Sequence, residues 1–251
     1  MFAIAAVAAL NAALWGQSGA VATAQPAATS AEQRVEALQK KLTDWAQLGY
    51  YREANAAVPP PVAGEQRVVF YGASIVEYWK TRGAFFPVKP YIDRGISGQT
   101  TAQMLVRFRQ DVIDLHPKAV VILGGTNDVA GNMGPMTPAM TEGNWQSMAE
   151  LAKTSGIAVI FASVTPSTDF PWRRGLKPAE KIRALNAWLK DYCERHGAIY
   201  LDVYTALTDA DGGMKEGLHL DGVHPNAKGY ALMEPLTQVA IDRALGNAAK
   251  Q

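Results

Sequence analysis

The chain has 251 residues, 24 Lys plus Arg against 23 Asp plus Glu, and 48% hydrophobic residues, which suits one large hydrophobic core and excludes a disordered chain. A net charge of +1 offers no long-range positive field, so nucleic-acid binding is disfavoured. A single cysteine, Cys193, excludes an intramolecular disulfide and a thiolate zinc cage.

Residues 1–14 are apolar except for Asn11, and residues 15–24 drift into small and hydroxyl-bearing types. That pattern predicts an export signal with a small-x-small cleavage site at Ala22-Thr23-Ala24, hence a periplasmic or secreted protein, although no Lys or Arg precedes the apolar run. The alternative is an Ala-rich tail. The stretch is too short and interrupted to span a membrane, which takes about 20 consecutive apolar residues. Residues 25–62 read as a linker followed by an amphipathic packing helix. Ser30 caps it, Val35, Leu38, Leu42, Trp45 and Leu48 recur at spacings of three and four, and it ends near Gly49. Pro59-Pro60-Pro61 then delivers the chain into one main domain, residues 63–251.

In that domain short β-branched runs alternate with longer periodic stretches. Strands are predicted at 67–71, 91–94, 119–123, 157–164 and 199–203, and helices near 75–81, 100–114, 144–155, 178–196 and 226–245. Continuous apolar runs such as Ala119-Val120-Val121-Ile122-Leu123 mark strands buried on both faces. The expected fold class is α/β, a three-layer sandwich around a five-stranded parallel sheet, with chemistry beyond the carboxyl ends of the strands.

The strand exits carry that chemistry. After the first strand comes Tyr71-Gly72-Ala73-Ser74-Ile75, after the second Arg94-Gly95-Ile96-Ser97-Gly98-Gln99-Thr100, and after the third Gly124-Gly125-Thr126-Asn127-Asp128. Near the C-terminus stands Asp221-Gly222-Val223-His224-Pro225-Asn226. Together, in this order, the blocks resemble the SGNH or GDSL-type family of serine esterases and acylhydrolases, over most of the chain from about Val68. The resemblance implies a flavodoxin-like SGNH-hydrolase fold. It also implies an oxyanion hole made by the Ser74 and Gly98 N–H groups and the Asn127 side-chain amide.

The residue chemistry points the same way. Ser74 leaves a strand through Gly72 and opens a helix, exposing its hydroxyl. A serine needs a base to take its proton; His224 is available, and Asp221 three residues earlier can hold its other ring nitrogen. Taken singly, Ser74 could be a helix cap, Asn127 and Asp221-Gly222 turn residues, and Gly98 a loop glycine. Jointly they make a complete nucleophile, base, orienter and oxyanion set. His219 competes with His224 and is expected at the rim; Asp128 is expected to pin its own loop. His116 and His196 look structural, and neither a metal nor a cofactor is implied.

Two positions depart from the family pattern. Ala73 stands where Asp usually precedes the nucleophile, and Asp93 stands where Asn is common. Ala73 leaves two outcomes open, an active esterase or a non-catalytic binding protein on a decayed hydrolase fold. Met133, Met136, Phe170 and Trp172 could form an apolar wall for an acyl group or a sugar, or could only cap the core. Arg173 and Arg174 could meet an anion but are more ordinarily solvated. The expected partner is a small-molecule ester, with short acyl groups such as acetyl on carbohydrate favoured and lysophospholipid or thioester hydrolysis as the alternative. Nothing in the sequence speaks to oligomeric state.

Overall fold

The computed structural model describes residues 30–87 and 89–247. The predicted export signal and most of the linker lie outside them. Contacts divide the chain into Met1–Gln39 and Lys40–Gln251. The first helix, α1, spans Ala31–Thr43 and is capped as expected: Gln33 N–H donates to Ser30 Oγ at 3.2 Å and Ser30 N–H to Gln33 Oε1 at 2.9 Å. It stops before Gly49 because the Asp44 carboxylate takes the N–H groups of Leu48 (2.7 Å) and Gly49 (2.9 Å). The predicted apolar stripe, which runs on to Leu48, therefore does not continue as one helix. A short helix, α2 (Arg52–Ala56), was not predicted.

Five parallel strands follow, β1 (Val68–Gly72), β2 (Tyr91–Gly95), β3 (Ala119–Leu123), β4 (Ala158–Ala162) and β5 (Ile199–Leu201), in the order β2-β1-β3-β4-β5. The central β1 and β3 are buried at every position, as their unbroken apolar sequences require. Their side chains alternate between two cores. Val69, Tyr71, Val120 and Ile122 face one side, and Val68, Phe70, Val121 and Leu123 the other.

The helices are α3 (Ser74–Arg82), α4 (Thr101–Asp111), α5 (Thr126–Ala130), α6 (Pro138–Thr154), α7 (Ala179–His196), α8 (Tyr204–Leu207) and α9 (Ala227–Ala244). Residues of α4, α6 and α7 pack on the first core and residues of α3 and α9 on the second, giving the three-layer sandwich. β4 and β5 are shorter than predicted because side chains take over their backbone groups. Ser163 Oγ accepts from Val203 and Tyr204 N–H, and the Asn186 amide bonds both polar groups of Val164. α6 starts six residues before the predicted Asn144: Thr137 Oγ1 accepts from Met140 N–H at 3.3 Å and Pro138 occupies the first turn.

Candidate active site

The site grows from the carboxyl ends of β1, β2 and β3. Ser74 is the first residue of α3, and Ala73, without a capping side chain, precedes it. The hydroxyl of Ser74 is therefore not spent on a cap. It lies 2.9 Å from His224 Nε2, and His224 Nδ1 lies 2.7 Å from Asp221 Oδ2. Asp221 Oδ1 also accepts the N–H groups of Val223 (3.0 Å) and His224 (2.8 Å), which folds the Asp-x-x-His segment into a turn. Burial alone would raise the Asp221 carboxyl; the N–H groups of His224 and Val223, with the His224 ring and its charge, outweigh it and hold the carboxyl below its ordinary value. Nδ1–H donates to this carboxylate in the tautomer that leaves Nε2 to face the serine.

His219 does not share that place. Its Nδ1 accepts from Gly222 N–H at 2.9 Å, so it braces the loop carrying Asp221. Asp128 pins its loop as expected: it is buried and accepts from Thr101 N–H and Oγ1 and, at 3.2 Å, from Thr141 Oγ1. Burial raises its pKa against the opposing hydrogen bonds of Thr101 and Thr141.

The second strand comes very close to α3. A Cβ at Gly95 would sit 2.2 Å from Glu77 N and 2.8 Å from Ala73 O, so only glycine fits. The loop beyond is tied to the same helix, because Glu77 Oε2 accepts from Ser97 N–H at 2.9 Å and from Ser97 Oγ. Gly98 follows at φ +79°, with nothing within 4 Å of where its Cβ would be. The left-handed backbone itself favours glycine at this position. Among the described residues neither Gly98 N–H nor Ser74 N–H has an acceptor; the latter is a first-turn donor of its helix. Asn127, on α5, gives one N–H of Nδ2 to Gln99 O at 2.9 Å and keeps a second.

Of the predicted wall residues, Trp172 borders the site. It is 44% exposed, and its ring centroid is 6.1 Å from that of His224. Phe170 is fully buried and corrects the expectation: it stacks beneath Trp172 at 5.2 Å and packs with Ala130 and Val223, so it supports the wall from within. Met133 is exposed and Met136 half-buried on the stretch between α5 and α6. Arg173 is not a free cation, because Nη1 donates to Ala130 O and Gly131 O, both at 2.7 Å, closing the end of α5. Arg174 pairs with Asp169 at 3.4 Å. The sequence reading missed Tyr78, whose ring meets the His224 ring edge-on at 5.6 Å. Its spacing of four from Ser74 on one helix was the available signal.

Asp93 accepts from Gly95 N–H through Oδ1 at 2.8 Å while Oδ2 is buried without a partner among the described residues. Burial pushes its pKa up to about 7, against the Gly95 hydrogen bond and with Glu77 adding to the rise. The buried Cys193 thiol is pushed up to about 12 by burial. Among the described residues no cluster of three or more His, Cys, Asp or Glu side chains could hold a metal, and no helix is long and apolar enough to cross a membrane.

The chain matches the profile of the GDSL-like Lipase/Acylhydrolase family over residues 70–232. It is 30% identical over 139 residues to Esterase TesA of Pseudomonas aeruginosa, an alignment covering 53% of this chain and 60% of that protein. Among solved structures, a GDSL-like lipase from Bacteroides thetaiotaomicron VPI-5482 is 44% identical with a TM-score of 0.76. A candidate acylhydrolase from Bacteroides fragilis NCTC 9343 is 43% identical with a TM-score of 0.78. Each comparison covers 80% of this chain and 99% of the other. The matched span includes Ser74, Gly98 and Asn127, which follow β1, β2 and β3, and Asp221 and His224, on the loop before α9, and the chain belongs to the GDSL-like lipase/acylhydrolase family.

Proposed function

We propose that the protein is a serine esterase in which Ser74 is the nucleophile, His224 the general base and acid, and Asp221 the group that orients the imidazole. The observation that carries this reading is the continuous line from Ser74 Oγ to His224 Nε2 (2.9 Å) and from His224 Nδ1 to Asp221 Oδ2 (2.7 Å). Ser74 Oγ attacks the ester carbonyl carbon as Nε2 takes its proton. The oxyanion accepts hydrogen bonds from Ser74 N–H, Gly98 N–H and the second N–H of Asn127 Nδ2. Collapse expels the alcohol, protonated by His224, and leaves an acyl-serine. Water, deprotonated by the same ring, then releases the acid and restores the serine.

Ala73 does not break this machinery. An Asp there would cap α3, so its absence costs about 1 kcal/mol of helix-start stability and no reacting group. The substrate is proposed to be a small neutral ester, such as an acetylated carbohydrate, met outside the cytoplasm if residues 1–24 direct export. The exposed face of Trp172 beside His224 supports a ring-bearing substrate.

Ser74→Ala tests the assignment: hydrolysis of an aryl acetate should fall by about 10⁴-fold or more, and undiminished turnover would overturn it. Labelling of Ser74 by a fluorophosphonate separates an active enzyme from a binding protein on the same fold. An acyl-chain series, run beside acetate release from acetylated xylan, tests the substrate class; preference for long acyl chains would refute it.

A further inference from the structure

We propose that Asn132 is a positioning residue that sets the Asn127 amide as a donor and holds Trp172 beside His224, so that one side chain governs both the oxyanion site and the aromatic wall. The proposal rests on the reading of Asn127 given above. Asn132 lies just beyond α5, and its backbone N–H donates to Asn127 O at 3.0 Å. Its Nδ2 donates to Asn127 Oδ1 at 2.7 Å, and its Oδ1 accepts Trp172 Nε1–H at 2.9 Å.

These bonds have a consequence for the direction of the Asn127 amide. A carboxamide has an acceptor end and a donor end, and reversing it exchanges them. At Asn127 both ends are specified: Oδ1 meets the Asn132 donor, and Nδ2 meets the Gln99 carbonyl at 2.9 Å. A reversed amide would put oxygen against Gln99 O and nitrogen against Asn132 Nδ2. With the orientation fixed, the remaining N–H of Nδ2 is left for a substrate oxygen. At the other end of Asn132, an indole can give its N–H to that Oδ1 only in one in-plane position. Stacking on buried Phe170 and the grip of Arg173 on the end of α5 fix the plane and the loop that carries it. The oxyanion amide and the aromatic face are therefore linked through two hydrogen bonds.

The decisive variant is Asn132→Asp. Aspartate still accepts from Trp172 but cannot donate to Asn127, and it sets a carboxylate against Oδ1. The expected result is a fall in kcat of about 100-fold on an aryl acetate, with KM within about two-fold and an unchanged thermal midpoint. Asn132→Ala, which removes both the donor to Asn127 and the acceptor for Trp172, should lower kcat about ten-fold on an aryl acetate and, like loss of the Trp172 bond, raise KM for an acetylated pyranoside. Trp172→Phe keeps the ring and should leave kcat within about three-fold while raising KM for an acetylated pyranoside more than for ethyl acetate. Asn127→Ala is the control, expected to lose about 100-fold in kcat. Full activity in Asn127→Ala would remove the oxyanion reading itself. Loss there combined with kcat within three-fold of the parent in Asn132→Asp would overturn the positioning role and leave the oxyanion reading intact. If Asn132→Asp does not fold, Asn132→Ala decides: unchanged kcat, or a change confined to KM, overturns the proposal.

Discussion

Replacing Arg107 by methionine tests how the strand exits are held. Arg107 lies on α4, fully buried, one turn before the equally buried Asp111. Its Nε donates to Gln99 Oε1 at 2.6 Å, Nη1 to Arg94 O and to Asp111 Oδ2 at 2.9 Å each, and Nη2 to Gly72 O at 2.9 Å. The guanidinium carbon also sits 4.3 Å from the centre of the Tyr71 ring. Methionine replaces most of the volume and none of these bonds. Gly72 O keeps a second donor in Ile96 N–H at 3.0 Å, and Asp111 Oδ1 keeps Asn55 Nδ2 at 2.6 Å, so the dominant loss is the unpaired buried carboxylate. Breaking a buried pair from one side costs about 3–5 kcal/mol. For a chain of this length that lowers Tm by about 6–20 °C. Urea unfolding of Arg107→Met should show this deficit, and the double variant Arg107→Met with Asp111→Asn should recover most of it by removing the stranded charge. A single variant that loses less than about 1 kcal/mol, or a double variant no better than the single, would refute the reasoning.

Two further outcomes follow from the same end of the sheet. Asp93 has a folded pKa of about 7, above its unfolded value near 4, so its protonated form favours the folded state; that contribution is complete below about pH 4 and is lost as the pH rises towards 7. Asp93→Asn should therefore gain about 4 kcal/mol over the parent at pH 8 and converge with it near pH 4, and an equal difference at both pH values would show that the carboxyl charge is not responsible. Glu77→Ala releases Ser97, the residue before Gly98, and should lower kcat about ten-fold at nearly constant KM, with Glu77→Gln intermediate. Equal kcat in all three proteins would mean that the loop is held by other contacts.

The layers and the strand exits were legible because unbroken apolar runs, such as Val68-Val69-Phe70-Tyr71, permit little except a strand covered on both faces. The site blocks were legible for a related reason: Ser74, Gly98 and Asn127 each follow a strand directly. What escaped depends on contacts distant in sequence. α5 is five residues long between two glycines, and it stands where it does because Asp128 reaches across to Thr101 and Arg173 closes its last carbonyls. Phe170 and Trp172 are alike in composition and two residues apart, yet one is buried beneath the other, which no periodicity of a loop encodes. The start of α6 was readable, since Thr137-Pro138 is a helix-opening pair. Asp93 could not be understood without knowing how little solvent reaches it.

The turn and short helix ahead of β1 change what counts as the folding unit. The carbonyl oxygens of Trp45, Ala46 and Leu48 accept from Gln103, Gln99 and Gln110, and Asn55 Oδ1 accepts from Arg94 Nε. All of these acceptors lie before residue 70, where the family's matched span begins. A chain trimmed to that span would keep Ser74, Asp221 and His224 but take away the acceptors of the buried Gln99 and Gln103 amides and of Arg94 Nε. For this protein, the boundary of resemblance is not a boundary of autonomy. Shuffling, transplanting or recombining the enzyme has to carry the preceding two dozen residues as part of the catalytic body.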